Sequence, residues 1–442
     1  MSCDQANHNE AKAGQGLHVV AKPIGPVCNL TCDYCFYLEK HALYGGRADY
    51  RMQEDVLSAF IKHYIEAQPT PIVEFVWQGG EPTLLGLDFF QRIVNLQKPY
   101  AKQKTITNSL QTNGTLLDDA WCRFLKHYNF MVGISLDGPQ EIHDRYRKDR
   151  QGKGSFESVM RGLKLLQKHG VDYNIMASVG RETALYPLEV YRFFKEVGVE
   201  FIQFLPIIER LPGATEQQIG FNLSGPAMLD RVESNTKVTN WTVAPNEYGD
   251  FLIAIYDEWV RKDVGTTFVM NFEWALNAWI GNPSPVCIHA KQCGRSLVIE
   301  HNGDIFSCDH YVYPQYRLGN ILTDSLPAMV ETSLQTGFGV NKEAALPSFC
   351  QECEVLAACQ GGCPKHRFVL SPSEEPGLHY LCGGYRKFFR HIRKYLRAMA
   401  TLLKHGYPAS EVMKAVDGPL LLRLDQVGTA GGSEHSSGKN IR

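Results

Sequence analysis

The chain has 442 residues, 44% of them hydrophobic, which is enough for two or three units with real cores. Lys plus Arg (45) nearly balance Asp plus Glu (47), and the formal charge of -2 gives no global pull toward nucleic acid or an anionic membrane. Thirteen cysteines would suit a secreted disulfide protein, yet residues 1–16 are polar with no apolar leader-like run, and no stretch approaches a membrane span; the expectation is a cytoplasmic protein with reduced thiols available to metal.

Residues 1–16 read as a disordered extension, and a strand is predicted over 17–24. Cys28, Cys32 and Cys35 follow at once, a C-x3-C-x2-C triplet that places three thiolates in one tight loop. Three ligands leave one iron of a four-iron cluster open to a substrate or cofactor, whereas four cysteines mainly store an electron. The alternative is a zinc site with a fourth ligand elsewhere, although structural zinc usually takes C-x2-C pairs.

Strands over 72–77, 105–111, 131–136, 173–179 and 201–207 then alternate with helical patterns over 54–67, 87–102, 118–127, 156–169 and 187–197. Six strands with intervening helices imply an α/β fold with a parallel sheet, curled into a partial barrel or left open. Gln78-Gly79-Gly80-Glu81-Pro82, Gln111-Thr112-Asn113-Gly114 and Ser135-Leu136-Asp137-Gly138 all fall at carboxyl ends of strands, where such folds assemble their sites. The paired glycines would let backbone approach a ligand closely, and Glu81 can accept from a cationic amine.

A looser stretch over 210–245 leads to a helix over 247–262, so residues 17–245 form the first unit and 246–286 a bridging helical segment. From 287 to 404 the chain is cysteine-dense, with little helical periodicity until Tyr385. Alternation over 297–306 around an Asn-Gly pair signals a hairpin. Cys287, Cys293, Cys308, Cys350, Cys353, Cys359, Cys363 and Cys382 are eight thiols, sufficient for two fully ligated four-iron clusters; two structural zinc sites are the alternative. Cys3 lies in the terminal extension, and Cys122 reads as a small buried hydrophobe on a helix. The closing helix has a basic side (Lys387, Arg390, Arg393, Lys394, Arg397) and an apolar one (Phe388, Phe389, Ile392, Leu396, Met399), which fits a packed amphipathic helix better than a nucleic-acid binder. Residues 405–442 form a tail that is Gly- and Ser-rich after Val427, where disorder is expected.

With Tyr34 in the aromatic position before Cys35, the triplet resembles that of the radical S-adenosylmethionine (SAM) enzymes, and the later cysteines resemble the SPASM extension of peptide-modifying members. The resemblance implies a partial (β/α)6 radical SAM barrel followed by a cysteine-rich SPASM domain with a β-hairpin and a C-terminal helix. It further implies three [4Fe-4S] clusters, one on Cys28, Cys32 and Cys35, with SAM on the open iron. Interleaved ligation, as in well-known members, would give Cys287, Cys293, Cys308 and Cys363 to one auxiliary cluster and Cys350, Cys353, Cys359 and Cys382 to the other. SAM contacts would fall to Tyr34, Gly79, Gly80, Glu81, Ser135, Arg147 and Leu205, with Asp137 beside them; Leu205 is otherwise a core residue. Cys308-Asp309-His310-Tyr311 and the whole layout are similar to the anaerobic sulfatase-maturating enzymes, which oxidise a sulfatase Cys or Ser to Cα-formylglycine. Asp309 matches the proposed base of that family. The implied partners are an unfolded sulfatase polypeptide and a flavodoxin- or ferredoxin-like reductant, with neither nucleic acid nor membrane. A thioether-forming SPASM maturase and a zinc-stapled, non-catalytic binding protein are the rival readings.

Overall fold

A computed structural model describes residues 16–45, 49–218, 220–226 and 236–418. Cys3 and the disorder expected of residues 1–15 and of those after Val427 lie outside the described residues. The first half of the chain is a run of strand–helix units: β1 (His18–Lys22), α1 (Glu54–Ala67), β2 (Ile72–Trp77), α2 (Leu87–Gln97), β3 (Thr105–Thr112), α3 (Asp119–His127), β4 (Met131–Ser135), α4 (Phe156–His169), β5 (Tyr173–Val179), α5 (Pro187–Glu196) and β6 (Phe201–Pro206). Then come α6 (Pro245–Lys262), the two-residue β7 (Phe268–Val269) and α7 (Met270–Trp279). The cysteine-rich part holds β8 (Ser296–Glu300), β9 (Asp304–Phe306), β10 (Arg317–Asn320) and the closing helix α8 (Cys382–Lys404).

All ten strands share one open sheet in the order β10-β9-β8-β1-β2-β3-β4-β5-β6-β7. β1 to β6 pair in parallel, and β8 adds in parallel to the free side of β1 over five residue pairs, from His18↔Ser296 to Lys22↔Glu300. The hairpin of the cysteine-rich part therefore belongs to the same sheet as the strand–helix units. Gly303, at φ +86°, takes the left-handed turn position between β8 and β9.

Period-2 alternation decides which side chains meet the helices and which face the concave side. Val73, Phe75 and Trp77 of β2 are completely buried, with Phe60 and Tyr64 of α1 packed edge-on against Phe75 at 5.7 and 5.0 Å. Each such side chain contributes about 1.5–3 kcal/mol of transfer free energy. Ile134, Ile175, Ala177, Ile202 and Phe204 continue this layer, and Cys122 on α3 is completely buried in it. The alternate residues Gln111, Ser135, Asn174, Met176, Ser178, Gln203 and Leu205 are only half-buried. Leu205 thus belongs to the concave face, and the core reading for it is set aside.

Several elements depart from the sequence reading for local reasons. The helix expected over 87–102 stops at Gln97, and Pro99 follows in a short 3-10 turn. Asp118 sits outside α3 as its N-cap, its side chain accepting from the Trp121 N–H at 2.8 Å. Within the stretch read as poor in helix, a twelve-residue helix spans Ser333–Ala344, capped by Thr332. Beyond α8, a 3-10 turn at Ala409–Lys414 packs back, with Val412 and Ala415 completely buried.

α8 lies across α6 at very close range. A Cβ at Gly384 would sit 1.9 Å from the Pro245 carbonyl oxygen, and one at Gly249 would sit 2.7 Å from that of Gly384. Gly384→Ala must push the two helices apart, and we expect a loss of about 1–3 kcal/mol in denaturant unfolding. Gly383→Ala, whose nearest neighbour is the Asn246 side chain at 3.4 Å, should cost clearly less.

Candidate active site

The triplet loop is held from three directions at the carboxyl end of the sheet. Thr31 N–H donates to Lys148 O at 2.7 Å and Asp33 N–H to Tyr146 O at 3.1 Å, which ties the loop to the segment after β4. Gly80 N–H donates to Gly25 O at 2.7 Å and Glu81 N–H to Val27 O at 2.9 Å, which ties it to the loop after β2. Asn113, at the end of β3, donates to Asn29 Oδ1 at 2.8 Å and reaches Cys28 Sγ at 3.8 Å.

Cys28, Cys32 and Cys35 lie close enough for each to interact electrostatically with another of the three. Burial pushes the Cys28 thiol up to about 11 and that of Cys32 to about 12. Three thiols are the donor set of a four-iron cluster with one open position, and the Asn29 and Asn113 amides stand beside them.

A Cβ on Gly80 would stand 1.9 Å from the Val27 carbonyl oxygen, so its missing side chain admits the chain's own triplet loop. Gly79 is held at φ +139°, beyond the ordinary range of an L-residue. Glu81 is completely buried, and its carboxylate accepts from Thr83 N (3.0 Å), Thr83 Oγ1 (2.6 Å), Thr112 Oγ1 (2.7 Å) and Asn113 N (2.7 Å). Burial raises its pKa, and these four donors work against that rise. Its evident work is to lock the end of β3 onto the β2 loop; the amine expected there would have to use the remaining capacity of Oε2, which takes only the Asn113 bond.

Asp137 is the hub of the neighbouring wall. It accepts from Tyr34 Oη at 2.7 Å, Arg147 Nε at 2.8 Å, Arg147 Nη2 at 3.1 Å and Ser178 N at 2.8 Å. Burial would raise its pKa, but the Arg147 guanidinium holds it below the usual carboxylate range. Tyr34, in the aromatic position of the triplet, is thereby fixed by its hydroxyl. The Arg147 guanidinium also interacts electrostatically with the Cys32 thiol. Ser135 accepts from Gln111 Nε2 at 3.1 Å on the concave face.

Asp309 pairs with Lys22, the last residue of β1, at 2.6 Å. Lys22 is 2% exposed, donates to Gln78 Oε1 at 3.1 Å, and stands 4.3 Å over the Tyr37 ring, whose hydroxyl donates to the completely buried Glu300 at 2.7 Å. Burial works to raise the Asp309 carboxyl, and the Lys22 charge overrides it, so the group is ionised at neutral pH. Next to it, the His310 ring meets Phe36 edge-on at 5.3 Å and its Nδ1 lies 3.6 Å from Cys363 Sγ. Lys22, Tyr37 and Glu300 escaped the sequence reading, and His310 entered it only as part of the Cys308-Asp309-His310-Tyr311 run. Two charged residues ending otherwise apolar strands, HVVAK and SLVIE, were the available signal.

The later cysteines fall into two groups. Cys293 and Cys308 each interact with Cys363 and Cys287, and Cys363 with Cys287. Cys359 interacts with Cys382, Cys350 and Cys353, and these four line one apolar pocket with Phe349 and Arg386. Burial raises the thiol pKa throughout the first group, with Cys363 at about 11 and Cys293 at about 12. Each group supplies four sulfurs, the donor set of a fully ligated four-iron cluster.

A profile described as the Radical SAM superfamily matches residues 23–194, and one described as an iron-sulfur cluster-binding domain, SPASM, matches 287–354. The chain is 45% identical to a serine-type anaerobic sulfatase-maturating enzyme of Bacteroides thetaiotaomicron, over 91% of this chain and 96% of that protein. It is 33% identical to a cysteine-type anaerobic sulfatase-maturating enzyme of Clostridium perfringens, over 88% of this chain and 99% of that one. A solved structure described as native anSMEcpe with bound AdoMet and Cp18Cys peptide superposes with a TM-score of 0.76 at 31% identity, covering 88% of this chain and 100% of that one. The chain belongs to the anaerobic sulfatase-maturating enzymes, radical SAM oxidoreductases that carry a SPASM domain.

Proposed function

We propose that this chain oxidises a Cys or Ser side chain in an unfolded sulfatase polypeptide to Cα-formylglycine, using three [4Fe-4S] clusters and SAM, with a flavodoxin- or ferredoxin-like protein as electron partner. The observation that carries the reading is the adjacency of Asp309 and Cys308, a half-buried ionised carboxylate next to a thiol of the first four-sulfur group. SAM bound at the open iron of a reduced cluster supplies a 5'-deoxyadenosyl radical that takes one hydrogen atom from the substrate Cβ. The residue must then lose one proton and one electron: a seryl CH2OH that has given up H•, H+ and an electron is an aldehyde. A cysteinyl CH2SH gives the thioaldehyde, which water converts to the aldehyde with release of hydrogen sulfide.

Asp309 takes the proton from the hydroxyl or thiol. Its low pKa makes it a weak base, but loss of the electron makes that proton strongly acidic, so an ionised, positioned carboxylate is sufficient. Lys22 keeps the carboxylate charged and aimed, and Tyr37 and Gln78 hold Lys22. On the other wall, Tyr34 of the triplet loop, Arg147 after the segment that follows β4, and Ser135 and Leu205 on the concave face of β4 and β6 would hold SAM, with Asp137 fixing Tyr34 and Arg147. Gly79, Gly80 and Glu81 shape the loop that faces the methionine end. The ligand groups are Cys28, Cys32 and Cys35; Cys287, Cys293, Cys308 and Cys363; and Cys350, Cys353, Cys359 and Cys382.

Three outcomes are expected. Anaerobically reconstituted protein with SAM and dithionite should convert Cys- or Ser-type sulfatase peptides to the aldehyde with one 5'-deoxyadenosine each, read by mass spectrometry; Asp309→Asn should keep deoxyadenosine formation and lose at least about 100-fold in aldehyde. Deoxyadenosine without aldehyde from either peptide would instead favour a different SPASM modification. Replacing any one thiol group (Cys28/Cys32/Cys35, Cys287/Cys293 or Cys350/Cys353, all to Ala) should remove about four irons from a total of about twelve per chain; an unchanged count would defeat that ligand assignment.

Asp137→Asn leaves Arg147 buried and unpaired, so we expect about 3–5 kcal/mol of lost stability at neutral pH. Because the folded Asp137 pKa is depressed, the wild-type advantage exists above the ordinary carboxylate value of 3.8 and fades as pH falls through the lower folded value. Chemical denaturation of both proteins at neutral and acid pH checks the sign.

A further inference from the structure

The outer face of α8 is positively charged beside the second four-sulfur group. Cys382 is the first residue of the helix, Arg386 lies one turn on and lines the same pocket as the four thiols, and Arg390 follows another turn later. Arg386 and Arg390 both pair with Glu354, whose own carboxylate stands 3.8 Å from Cys353 Sγ, and Lys387 pairs with Asp250. Further along, half-exposed Arg393 and exposed Lys394 have no carboxylate partner among the described residues; Lys394 only overlies the Tyr395 ring at 4.7 Å. The opposite side of the helix is fully used in packing, since Phe388, Phe389, Ile392, Leu396 and Met399 are buried. This helix face thus carries surplus positive charge, its two unanswered cations about three helical turns along from Cys382.

A path of contacts leads there from the active site. Phe36 follows Cys35 in sequence and touches His310, His310 touches Cys363, and Cys359 of the second group stands four residues before Cys363, across the Gly361-Gly362 turn. The second group is therefore the one farthest along this path from the triplet, and α8 is the surface over it.

We propose that the α8 face formed by Arg386, Lys387, Arg390, Arg393 and Lys394 is the docking surface for an acidic one-electron carrier of the flavodoxin or ferredoxin class, which exchanges an electron with the enzyme through the Cys350/Cys353/Cys359/Cys382 group. The inference rests on the function proposed above, which leaves one electron per aldehyde to be removed. In that step the enzyme centre loses one electron and the carrier gains it, a flavodoxin passing from quinone to semiquinone with one proton taken from water. Complementary charge would speed encounter and make it salt-sensitive, and shape at the thiol pocket would fix the docked pose.

The test uses reconstituted enzyme and an acidic bacterial flavodoxin as probe, with affinity measured by anaerobic thermophoresis across a range of NaCl. Arg393→Glu/Lys394→Glu reverses the two unanswered cations without breaking any ion pair. Lys62→Glu/Lys126→Glu, on α1 and α3, makes the same charge change elsewhere. The expected result is wild-type binding that weakens steeply with salt, at least tenfold weaker binding and a flatter salt slope for the α8 reversal, and wild-type behaviour for the α1/α3 reversal. Stopped-flow appearance of the flavodoxin semiquinone from pre-reduced enzyme should slow at least tenfold in the α8 reversal alone, while dithionite-driven deoxyadenosine formation stays unchanged in all three proteins. Equal loss in both reversals would overturn the proposal, as would salt-independent binding, or affinity for a DNA duplex or an anionic vesicle matching that for flavodoxin. If wild-type enzyme makes no aldehyde with dithionite while the flavodoxin results hold, the proposed function fails and the docking surface stands.

Discussion

The parallel pairing of β1 with β8 is the constraint on which the rest of this site depends. It places Lys22 and Glu300, the last residues of the two strands, side by side at the carboxyl end of the sheet. Lys22 arrives from the strand that leads into the triplet loop, and Glu300 from the hairpin that leads to Cys308 and Asp309. Were the cysteine-rich part a lobe tethered by a linker, the separation between radical source and base would vary with every domain motion. Hydrogen-bonded strands instead fix it by backbone register, and a one-residue slip would turn both side chains to the opposite face.

That register brings a cost in buried charge, and the structure answers it with partners on every side. Lys22 has Asp309, the Gln78 amide oxygen and the Tyr37 ring; Glu300 has the Tyr37 hydroxyl at 2.7 and 2.9 Å. Nearby, Lys365 pairs with Glu209 at 2.7 Å, both side chains 7% exposed, and stands 4.4 Å over Phe36. Lys40, 1% exposed, rests on the Tyr313 ring at 3.5 Å, and burial lowers its pKa to about 7. Charge of this kind adds little to stability over well-packed apolar residues, because desolvation offsets the attraction. It does fix positions, since moving any one member strands another in a low-dielectric interior.

Much of the fold was legible because its signals are local. Most of the six main strands are apolar or alternating runs bounded by turn residues, and the helices between them have stripes of the right period. The triplet, with Tyr34 before its last cysteine, was equally plain. Other features were hidden because they depend on partners distant in sequence. The helix at Ser333–Ala344 contains Gly337 and Gly339 and has weak apolar periodicity; its backbone is pressed against Cys293, where a Cβ on Gly339 would meet the Cys293 carbonyl oxygen at 2.4 Å. Nothing in the local sequence says that β8 will join β1, and without that contact Lys22 reads as an ordinary strand-end cation. Gly80 and Glu81 were visible as residues, but their contacts with Val27 and Asn113 were not, since those groups come from other loops.

In the proposed reaction, Asp309 and Cys308 would also separate the two products of oxidation without separating them far. A proton moves only to an acceptor within hydrogen-bond reach, so the base must touch the substrate. An electron can pass through intervening groups, so its acceptor need not. Neighbouring residues of one chain satisfy both demands at a single backbone position, with the Asp309 carboxylate turned to Lys22 at the end of β1 and the Cys308 thiol turned to Cys287 and Cys363. The 3-10 turn that begins at Asp309 sets the two side chains in these different directions. With Lys22 keeping Asp309 charged, the proposed proton and electron would leave toward different groups, and the turn that divides them is anchored by that ion pair to the strand that leads into the triplet loop.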